Sequence, residues 1–548
     1  MTPEKNDNDR AASLANGFLS GRISRRDLFR RSAALGGGAV AATTLGSLLA
    51  ACGPNDSAGA KSSAAPTGKP VTGGTLTAAL TGNPSSMDPA AAGIYTSLQV
   101  IDNIFSKLIV FDDKGGFVGD LATSWKQDDP VTYTFDLVDN ATFHNGEKFT
   151  ADDVKYTFER IADPKTASSY ASAYTSIKSI EVVSPTRVVF HLSEPFAPLL
   201  TNIAQNGEIV NRKAVESADP TRKPVGTGPF SFVEWVQSDH ITLKRNPTYF
   251  RAGQPYLDTI VFKFLAVDKS RVEALQSGQL DWADAVPLDE LRALKANRSY
   301  RYVTSARAGI PDFVAMNTAK APFDNKALRQ AVAAAIDRKQ ILDVAYFGAG
   351  EAGTMEVPSG SSWYGGTPPY ASGPDLDTAR KKMAEAGLSK GLSITYLTLP
   401  QYPELQKTAV LVRDQLGKIG IDVKLQQTEV TVWFDHYAKG DYQMTSAYWS
   451  GTVDPDNFYS TQLATGSPNN STKYSNPAVD KLIKQARAAS SESERKPLYE
   501  QIRQIIWDDA PLVFVHYETI NYLMRSGVFG STINPSLELG FGHVWKQR

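Results

Sequence analysis

The residues best suited to holding a ligand lie at the end of a predicted strand at 443–449. Tyr448 and Trp449 end this strand, and Thr452 and Asp454 follow within five residues of the tryptophan. Aromatic rings with one polar group each, beside a hydroxyl and a carboxylate, suit a ligand that has apolar and polar parts. In open α/β sheets ligands bind beyond the carboxyl ends of the strands, so this position predicts a binding pocket. The alternative is that both aromatic side chains belong to the core and that Asp454 only forms a turn.

Catalytic motifs are absent from the sequence. The six histidines are scattered without the spacing of a zinc site, and there is no Gly-x-Ser-x-Gly elbow and no phosphate-binding loop. The single cysteine, Cys52, lies near the N-terminus. The sequence therefore favours binding over turnover, and no cofactor and no metal ion are expected. The alternative is an extracellular hydrolase, for example a glycosidase with acids near Asp454 and Asp456.

The first 51 residues have the pattern of an export signal. Arg25 and Arg26 precede an uncharged, apolar segment at 33–51, which ends in Leu-Ala-Ala before Cys52. The arginine pair resembles the signal of the twin-arginine export pathway, and Leu-Ala-Ala-Cys resembles a bacterial lipobox. Cleavage before Cys52 and attachment of lipid to it would anchor the protein, because two or more acyl chains hold a soluble domain at a bilayer. The alternative is an ordinary N-terminal transmembrane helix.

This signal predicts an extracytoplasmic protein, lipid-anchored to the outer face of the cell membrane or located in the periplasm. Residues 1–51 contain seven Lys/Arg and four Asp/Glu, so the net charge of −1 becomes −4 for the exported body. That balance disfavours nucleic acids and anionic lipid surfaces as partners. Residues 53–74 are rich in Ser, Ala, Gly and Pro, which is typical of a flexible tether.

Strand and helix patterns alternate along the body. In the first half, the patterns predict strands at 75–79, 131–137, 241–243 and 259–264, a hairpin of 180–183 with 187–192, and helices at 96–108, 151–161 and 270–276. In the second half, they predict helices at 325–345, 404–419, 432–438, 477–489 and 494–508, and strands at 392–399, 421–427, 443–449 and 512–517. Because strands and helices take turns from 392 to 449, we expect parallel pairing with helices on the sheet faces.

Several short motifs follow one another in a fixed order along this body. They are Leu121-Ala122-Thr123-Ser124-Trp125, Phe143-His144-Asn145-Gly146, Ala151-Asp152-Asp153-Val154, Gly226-Thr227-Gly228-Pro229-Phe230, Arg245-Asn246-Pro247-Thr248-Tyr249-Phe250, Pro322-Phe323-Asp324 and Ala335-Ile336-Asp337-Arg338. In order and spacing they resemble the solute-binding proteins of peptide, opine and nickel ABC importers, the dipeptide- and oligopeptide-binding type of family 5. The resemblance extends from about residue 74 to the C-terminus.

The resemblance implies an α/β fold of the type II periplasmic-binding-protein class, with two lobes, a hinge and three domains. The expected segments are an export signal at 1–51, a lipidated tether at 52–73, domain I at 74–109, 224–305 and 515–548, domain II at 110–223, and domain III at 306–514. A monomer is expected.

The resemblance also implies a function. A small solute, first of all a peptide, would be captured by closure of the lobes and delivered to an ABC permease in the membrane. Tyr448 and Trp449 would form one wall of the site, Tyr95 would stand on the opposite wall, and Asn317 would be a further wall residue. A sensor that presents its ligand to a membrane receptor is the alternative to a transporter.

One position departs from the pattern of the family. Peptide binders of this type place an aspartate three residues after the tryptophan to meet the ammonium group of the ligand, and this chain has Thr452 there. Asp454 is the candidate substitute, and the alternative is that it aligns with a structural Asp-Pro of the family. A buried ammonium without a carboxylate partner would be costly. Blocked peptides, opines, oligosaccharides and metal chelates therefore stay open as alternative ligands.

Overall fold

A computed structural model describes residues 69–305, 309–450 and 452–547. The predicted export signal with Arg25 and Arg26, and the predicted lipid attachment at Cys52, lie outside these residues. Among the helices of the described part, none combines the length and the apolar character needed to cross a bilayer.

The first large sheet, here the seven-stranded region, joins the two ends of the body. Its strands are, in spatial order, β12 (Tyr300–Ser305), β19 (Ile520–Arg525), β11 (Trp282–Asp284), β1 (Thr75–Leu80), β10 (Thr259–Phe264), β9 (His240–Arg245) and β8 (Phe230–Val236). β1 pairs in parallel with β10, and β19 lies antiparallel between β11 and β12. Strands predicted at 75–79, 241–243 and 259–264 are confirmed, with small shifts of their ends.

Helices α1 (Tyr95–Ile101), α5 (Asp268–Ser277) and α6 (Leu288–Ala296) belong to the same part of the chain. The helix predicted at 270–276 is confirmed, and it ends at Gly278, whose φ of 80° is the left-handed conformation that glycine accepts at a helix end. The helix predicted at 96–108 is too long. It ends at Ile101, and the apolar side chains of Ile104, Phe105 and Leu108 are instead buried from the following turns.

The second sheet, here the four-stranded region, is antiparallel. Its strands are, in spatial order, β4 (Ala122–Asp129), β5 (Thr132–Leu137), β7 (Arg187–Leu192) and β6 (Ile177–Ser184). The predicted hairpin is confirmed as the β6–β7 pair. Helix α2 (Ala151–Ala162) covers the sheet, and its first turn carries the capping box of Thr150 with Asp153. Short helices α3 (Leu199–Asn206) and α4 (Arg212–Ser217) follow.

The third sheet, here the six-stranded region, contains the predicted strand–helix alternation. Its strands are, in spatial order, β14 (Glu351–Ala352), β18 (Leu512–Tyr517), β13 (Pro311–Met316), β17 (Met444–Tyr448), β15 (Leu392–Thr398) and β16 (Ile421–Gln427). β15 pairs in parallel with β16 and with β17, as expected. Its helices are α7 (Lys326–Ala335), α8 (Arg338–Val344), α9 (Leu376–Glu385), α10 (Pro403–Gly417), α11 (Val430–Lys439), α12 (Pro455–Phe458), α13 (Pro477–Ala488) and α14 (Glu492–Asp509).

The single long helix predicted at 325–345 is wrong, because two helices, α7 and α8, occupy this stretch. Ile336 has an extended backbone (φ −76°, ψ 120°), and the Asp337 side chain accepts a hydrogen bond from the Gln340 amide as the cap of α8. Asp337 thus satisfies an amide of the new helix start, which compensates for the interruption. Two small ribbons, β2–β3 (Ile109–Phe111 with Phe117–Gly119) and β20–β21 (Val528–Phe529 with Trp545–Lys546), complete the described strands.

Candidate functional site

The loop after β17 is held tightly against the segment that leads into β13. The Trp449 amide donates to the Pro311 carbonyl (3.2 Å), and the Thr452 amide donates to the Gly309 carbonyl (3.0 Å). A Cβ atom at position 309 would lie 2.2 Å from the Thr452 carbonyl oxygen, so only glycine permits this approach. Trp449 and Thr452 are therefore held in place by the segment that leads into β13.

Tyr448 and Trp449 differ in their surroundings. Tyr448 is 39% exposed, and its ring centre lies 6.3 Å from that of Tyr402. Trp449 is half-buried against an aromatic core cluster, and its Nε1 donates to Asn457 Oδ1 (2.6 Å). Tyr448 thus offers an open aromatic surface, whereas Trp449 contributes to the core with part of its ring.

Asp454 is buried in a complete ion pair. Its carboxylate accepts two hydrogen bonds from Arg495 (2.7 and 2.6 Å) and one from the Asp456 amide (2.9 Å). Although burial opposes the charge of Arg495, the adjacent Asp454 raises the pKa of Arg495. Asp456 is held in the same way by Arg487 (2.8 and 2.9 Å). Because both carboxylates have arginine partners within the protein, a ligand ammonium would have to share Asp454 with Arg495.

A cavity of about 230 Å³ lies beside this loop, between the four-stranded and the six-stranded regions. Tyr133, Leu200 and Thr201 line it from the four-stranded region, and Trp363, Thr452 and Arg495 line it from the six-stranded region. Thr452 Oγ1 and Arg495 Nε are buried, and neither has a hydrogen-bond partner among the described residues. The cavity therefore has aromatic walls, and two of the residues that line it hold buried polar atoms without partners.

Direct contacts join the two regions around this cavity. The Ala197 amide of the four-stranded region donates to the Arg487 carbonyl of the six-stranded region (2.8 Å). Val453 packs against the core cluster of the four-stranded region. The structure thus shows a closed arrangement at this place.

The predicted wall residues Tyr448, Trp449, Tyr95 and Asn317 are not among the residues that line this cavity. The Tyr95 hydroxyl faces that of Tyr522 (3.3 Å), its ring packs beside Ile310, and burial raises the pKa of Tyr95. Asn317 is 1% exposed, and it uses its amide for the Gly440 carbonyl and its Oδ1 for the Ala319 amide (2.9 Å). It follows β13 at the end opposite to Pro311, so the structure does not bring Asn317 to the loop after β17.

Sequence reasoning missed a group of titratable residues beside Tyr448. Asp312 lies opposite Tyr448 in the β13–β17 pairing, and Glu518 follows β18 directly. Burial, together with the neighbouring Asp312, raises the pKa of Glu518 to about 8, and burial raises the pKa of Asp312 as well. The sequence contained two signals of this group. One carboxylate lies inside the apolar run that forms β13, and the other directly follows the apolar strand β18.

Two comparisons with known proteins agree with this geometry. The model of the family "Bacterial extracellular solute-binding proteins, family 5 Middle" matches residues 116–471. The probable D,D-dipeptide-binding periplasmic protein DdpA of Escherichia coli K12 is 30% identical over 477 residues, which cover 84% of this chain and 91% of DdpA. The chain therefore belongs to family 5 of the bacterial extracellular solute-binding proteins.

Solved structures show the same fold. The ABC transporter-associated periplasmic binding protein DppA of Helicobacter pylori, in complex with the peptide STSA, is 29% identical with a TM-score of 0.76, covering 87% of this chain and 99% of DppA. The binding protein AgaA of A. tumefaciens R10, in complex with agropinic acid, is 28% identical with a TM-score of 0.75, covering 87% of this chain and 99% of AgaA. The chain thus has the two-lobe, type II fold of periplasmic binding proteins. Its relatives are binding proteins rather than enzymes.

Proposed function

We propose that the protein is an extracytoplasmic, lipid-anchored substrate-binding protein of an ABC importer, which captures a peptide by lobe closure and delivers it to a membrane permease. The observation that carries this proposal is the cavity between the two regions, lined by Tyr133 and Thr201 on one side and by Trp363 and Thr452 on the other. A cavity at the contact between two parts that can separate is suited to enclosing a small solute.

Peptides are the leading ligand class for two reasons. Relatives with similar length are named after dipeptides and oligopeptides, and the DppA neighbour holds the peptide STSA. Hydroxyl-bearing residues that line the cavity, such as Thr201 and Ser361, can donate to peptide carbonyl oxygens, and the aromatic walls accept varied side chains. An opine is the second candidate, because Thr452 replaces the expected aspartate and AgaA, at similar identity, holds agropinic acid.

The proposed anchor is supported by the sequence around Arg25, Arg26 and Cys52. We expect Cys52→Ser to release the protein from the membrane fraction, because the acyl chains would have no attachment site. A double substitution of Arg25 and Arg26 by lysine should block export instead, and the uncleaved chain should stay in the cytoplasm. Membrane fractionation with detection by mass spectrometry separates these outcomes. An anchored Cys52→Ser protein would contradict the proposal.

Lobe closure is tested by small-angle X-ray scattering on the protein from residue 53 onward. We expect the radius of gyration to fall when the tetrapeptide STSA or, as the second candidate, agropinic acid is added to saturation. Native mass spectrometry of the same samples reports whether either probe is bound and recovered unchanged, which also tests the hydrolase alternative. Absence of binding and of compaction with both probes would overturn the proposal.

Delivery to a permease distinguishes a transporter from a sensor. The ligand-bound, closed form should associate with the permease more strongly than the free form, because closure arranges both lobes in one fixed geometry. Pull-down of membrane proteins with and without STSA, using the anchored protein, measures this difference. Recovery of a receptor without transport subunits would favour the sensor.

A further inference from the structure

The four-stranded and the six-stranded regions are in contact, although the chain does not run directly from one to the other. After the four-stranded region the chain enters the seven-stranded region at β8, and it reaches the six-stranded region only after β12. From β18 it returns to β19, again in the seven-stranded region. Contacts between the four-stranded and the six-stranded regions are therefore not imposed by chain connectivity, and they can form and break as two lobes close and open.

The first of these contacts is a backbone hydrogen bond to a helix end. α13 ends one residue after Arg487, so the Arg487 carbonyl belongs to the last turn, whose carbonyls have no partner within the helix. The Ala197 amide of the four-stranded region donates to this carbonyl (2.8 Å). The segment 195–198 begins and ends with proline, and the two rings restrict its backbone. The amide of Ala197 is thus presented to the helix end from a segment with little conformational freedom.

The second contact uses the side chain of the same arginine. The Arg487 guanidinium lies over the ring of Phe196, 5.4 Å from the ring centre, where the face of the ring attracts a cation. Asp456 of the six-stranded region accepts two hydrogen bonds from this guanidinium (2.8 and 2.9 Å). A guanidinium held at two points by a carboxylate has a fixed plane. The six-stranded region therefore positions the cation for Phe196 with its own residues.

The third contact connects this place with the loop after β17. Val453 packs against the apolar cluster of the four-stranded region, and Phe196 packs against the same cluster. Asp454, the next residue, accepts a hydrogen bond from the Asp456 amide (2.9 Å). Ala197 and Val453 both line the cavity, so these contacts lie at its edge. One short piece of chain thus carries both the loop beside the cavity and the carboxylate that positions Arg487.

We propose that Phe196, Ala197 and Arg487 form a clasp, which holds the four-stranded and the six-stranded regions together in the closed arrangement and so sets how long a ligand stays enclosed. This inference rests on the proposed function, the capture of a solute by lobe closure. It adds residues that contribute to affinity without contacting the ligand, because Phe196 and Arg487 are not among the residues that line the cavity.

The clasp acts through the equilibrium between open and closed forms. A contact that is made only in the closed form stabilises that form whether or not a ligand is present. The apparent dissociation constant of the ligand equals its intrinsic value divided by the closed fraction, so a weaker clasp raises it. A ligand leaves when the lobes open, so we expect the change mainly in the dissociation rate.

The Ala197 amide reports directly on the clasp, because its acceptor lies in the other region. In the segment 195–198, amide hydrogens are present on Phe196 and Ala197 alone, since proline has none. Hydrogen exchange at this segment is measured by mass spectrometry on the full chain in detergent, with and without saturating STSA. Wild type is compared with Phe196→Ala and with the matched control Phe347→Ala. Phe347 is 48% exposed and has Lys407 over its ring at 4.4 Å, but both of these residues belong to the six-stranded region.

With STSA bound, we expect the Ala197 amide to exchange about tenfold faster in F196A than in wild type and F347A. Isothermal titration calorimetry should show STSA affinity about 3–10-fold lower in F196A, the range expected for loss of one cation–π contact, and unchanged in F347A. Circular dichroism checks that each variant is folded. Phe196→Leu is the second variant, because leucine keeps an apolar side chain against the cluster but offers no ring to Arg487. If F196A does not fold, the same loss in F196L is required.

The outcomes separate this inference from the function on which it rests. Equal STSA affinity, or equal protection of the Ala197 amide, in F196A and wild type would leave the peptide function standing and overturn the clasp. An equal loss of affinity in F347A would also overturn it, because the effect would not depend on the contact between the regions. If wild type binds no STSA, the peptide function is overturned, and exchange in the free protein decides on the clasp. Slower exchange of the Ala197 amide in wild type than in F196A would then support it, and equal exchange would overturn it.

Discussion

Buried carboxylates occupy two places in the six-stranded region, and they differ in what faces them. Asp454 and Glu356 each receive a guanidinium, from Arg495 and from Arg503, and both pairs are almost completely enclosed. Glu518, at the link to the seven-stranded region, is half-buried, and burial raises its pKa to about 8. The first group is complete within the protein, whereas the second group lacks a cation among the described residues.

This difference separates acids that are paired with an arginine from an acid that burial keeps protonated near neutral pH. An arginine–carboxylate pair with two hydrogen bonds uses most acceptor positions of the acid, and the pair holds elements together. A carboxylate whose pKa is raised by burial and by a like charge stores unfavourable energy, which a cationic ligand relieves on binding.

The largest effect is expected from Arg495→Ala. This change leaves the carboxylate of Asp454 buried without its partner, so we expect the free energy of unfolding to fall by about 3–5 kcal/mol. Urea unfolding followed by fluorescence measures it. The matched control is Lys339→Ala, which breaks the exposed Lys339–Asp343 pair on α8 and should cost less than about 1 kcal/mol. An equal loss of unfolding free energy in both variants would show that the buried pair contributes no more to stability than the exposed pair.

Trp449 directly follows the end of β17, so Trp449→Ala tests whether this strand end contributes to ligand binding. We expect STSA affinity to decrease by about 2–4 kcal/mol, as for central aromatic residues of binding sites. Phe434→Ala is the control, because Phe434 is 54% exposed on α11. Unchanged affinity of a folded W449A protein in calorimetry would exclude Trp449 from the site.

Gly309 connects the two groups physically, since its carbonyl accepts from Thr452 and the next residue, Ile310, accepts from Glu518. Gly309→Ala places a Cβ 2.2 Å from the Thr452 carbonyl oxygen. We expect a loss of about 1–3 kcal/mol in stability, because the loop or the link must shift. Gly417→Ala, at a helical position with nothing within 4 Å of the added Cβ, should be neutral or stabilising in the same thermal melts. A G309A protein as stable as G417A would contradict the close approach.

The smallest effect is the pH dependence contributed by Glu518. Its pKa is about 8 in the folded protein against 4.5 for an ordinary glutamate, so between these values the folded state holds a proton that the unfolded state has lost. This contribution is fully present below pH 4.5 and is lost as the pH rises through 8. Stability of wild type should therefore fall from pH 6 to pH 9 by about 1–3 kcal/mol more than that of E518Q, since one pKa unit corresponds to about 1.4 kcal/mol and Glu518 is only half-buried. Parallel pH profiles in urea unfolding would show that Glu518 is not perturbed.

Local patterns were sufficient for most of the fold. β16 (Ile421–Gln427) and β18 (Leu512–Tyr517) have the predicted bounds, because β16 begins directly after Gly420 and β18 ends directly before the charged Glu518. The break between α7 and α8 was missed, since the apolar spacing continues through Ile336. The capping signal of Asp337 was present in the sequence, but a helix interior tolerates an aspartate often enough to hide it.

The site could be predicted only where it lies in one stretch of chain. The strand-end rule pointed to the loop with Thr452, which lines the cavity. The neighbours of Asp312 were not predictable, because its strand pairs with β17 and β18, more than 130 residues further on. The arginine that holds Asp454 is likewise supplied by another helix, α14, and residue spacing alone does not reveal such a partner.

The order of strands in the seven-stranded region has a consequence for biogenesis. β1 (Thr75–Leu80), near the start of the body, is a central strand, and β19 (Ile520–Arg525), close to the end, fills the gap between β11 and β12. A nascent chain therefore leaves the ribosome almost entirely before this sheet is complete, and until then β11 and β12 present open edges that invite aggregation. The six-stranded region has the same requirement, because β18 (Leu512–Tyr517) fills the gap between β14 and β13. We therefore expect chaperones to hold both regions until the stretch with β18 and β19 has been synthesised.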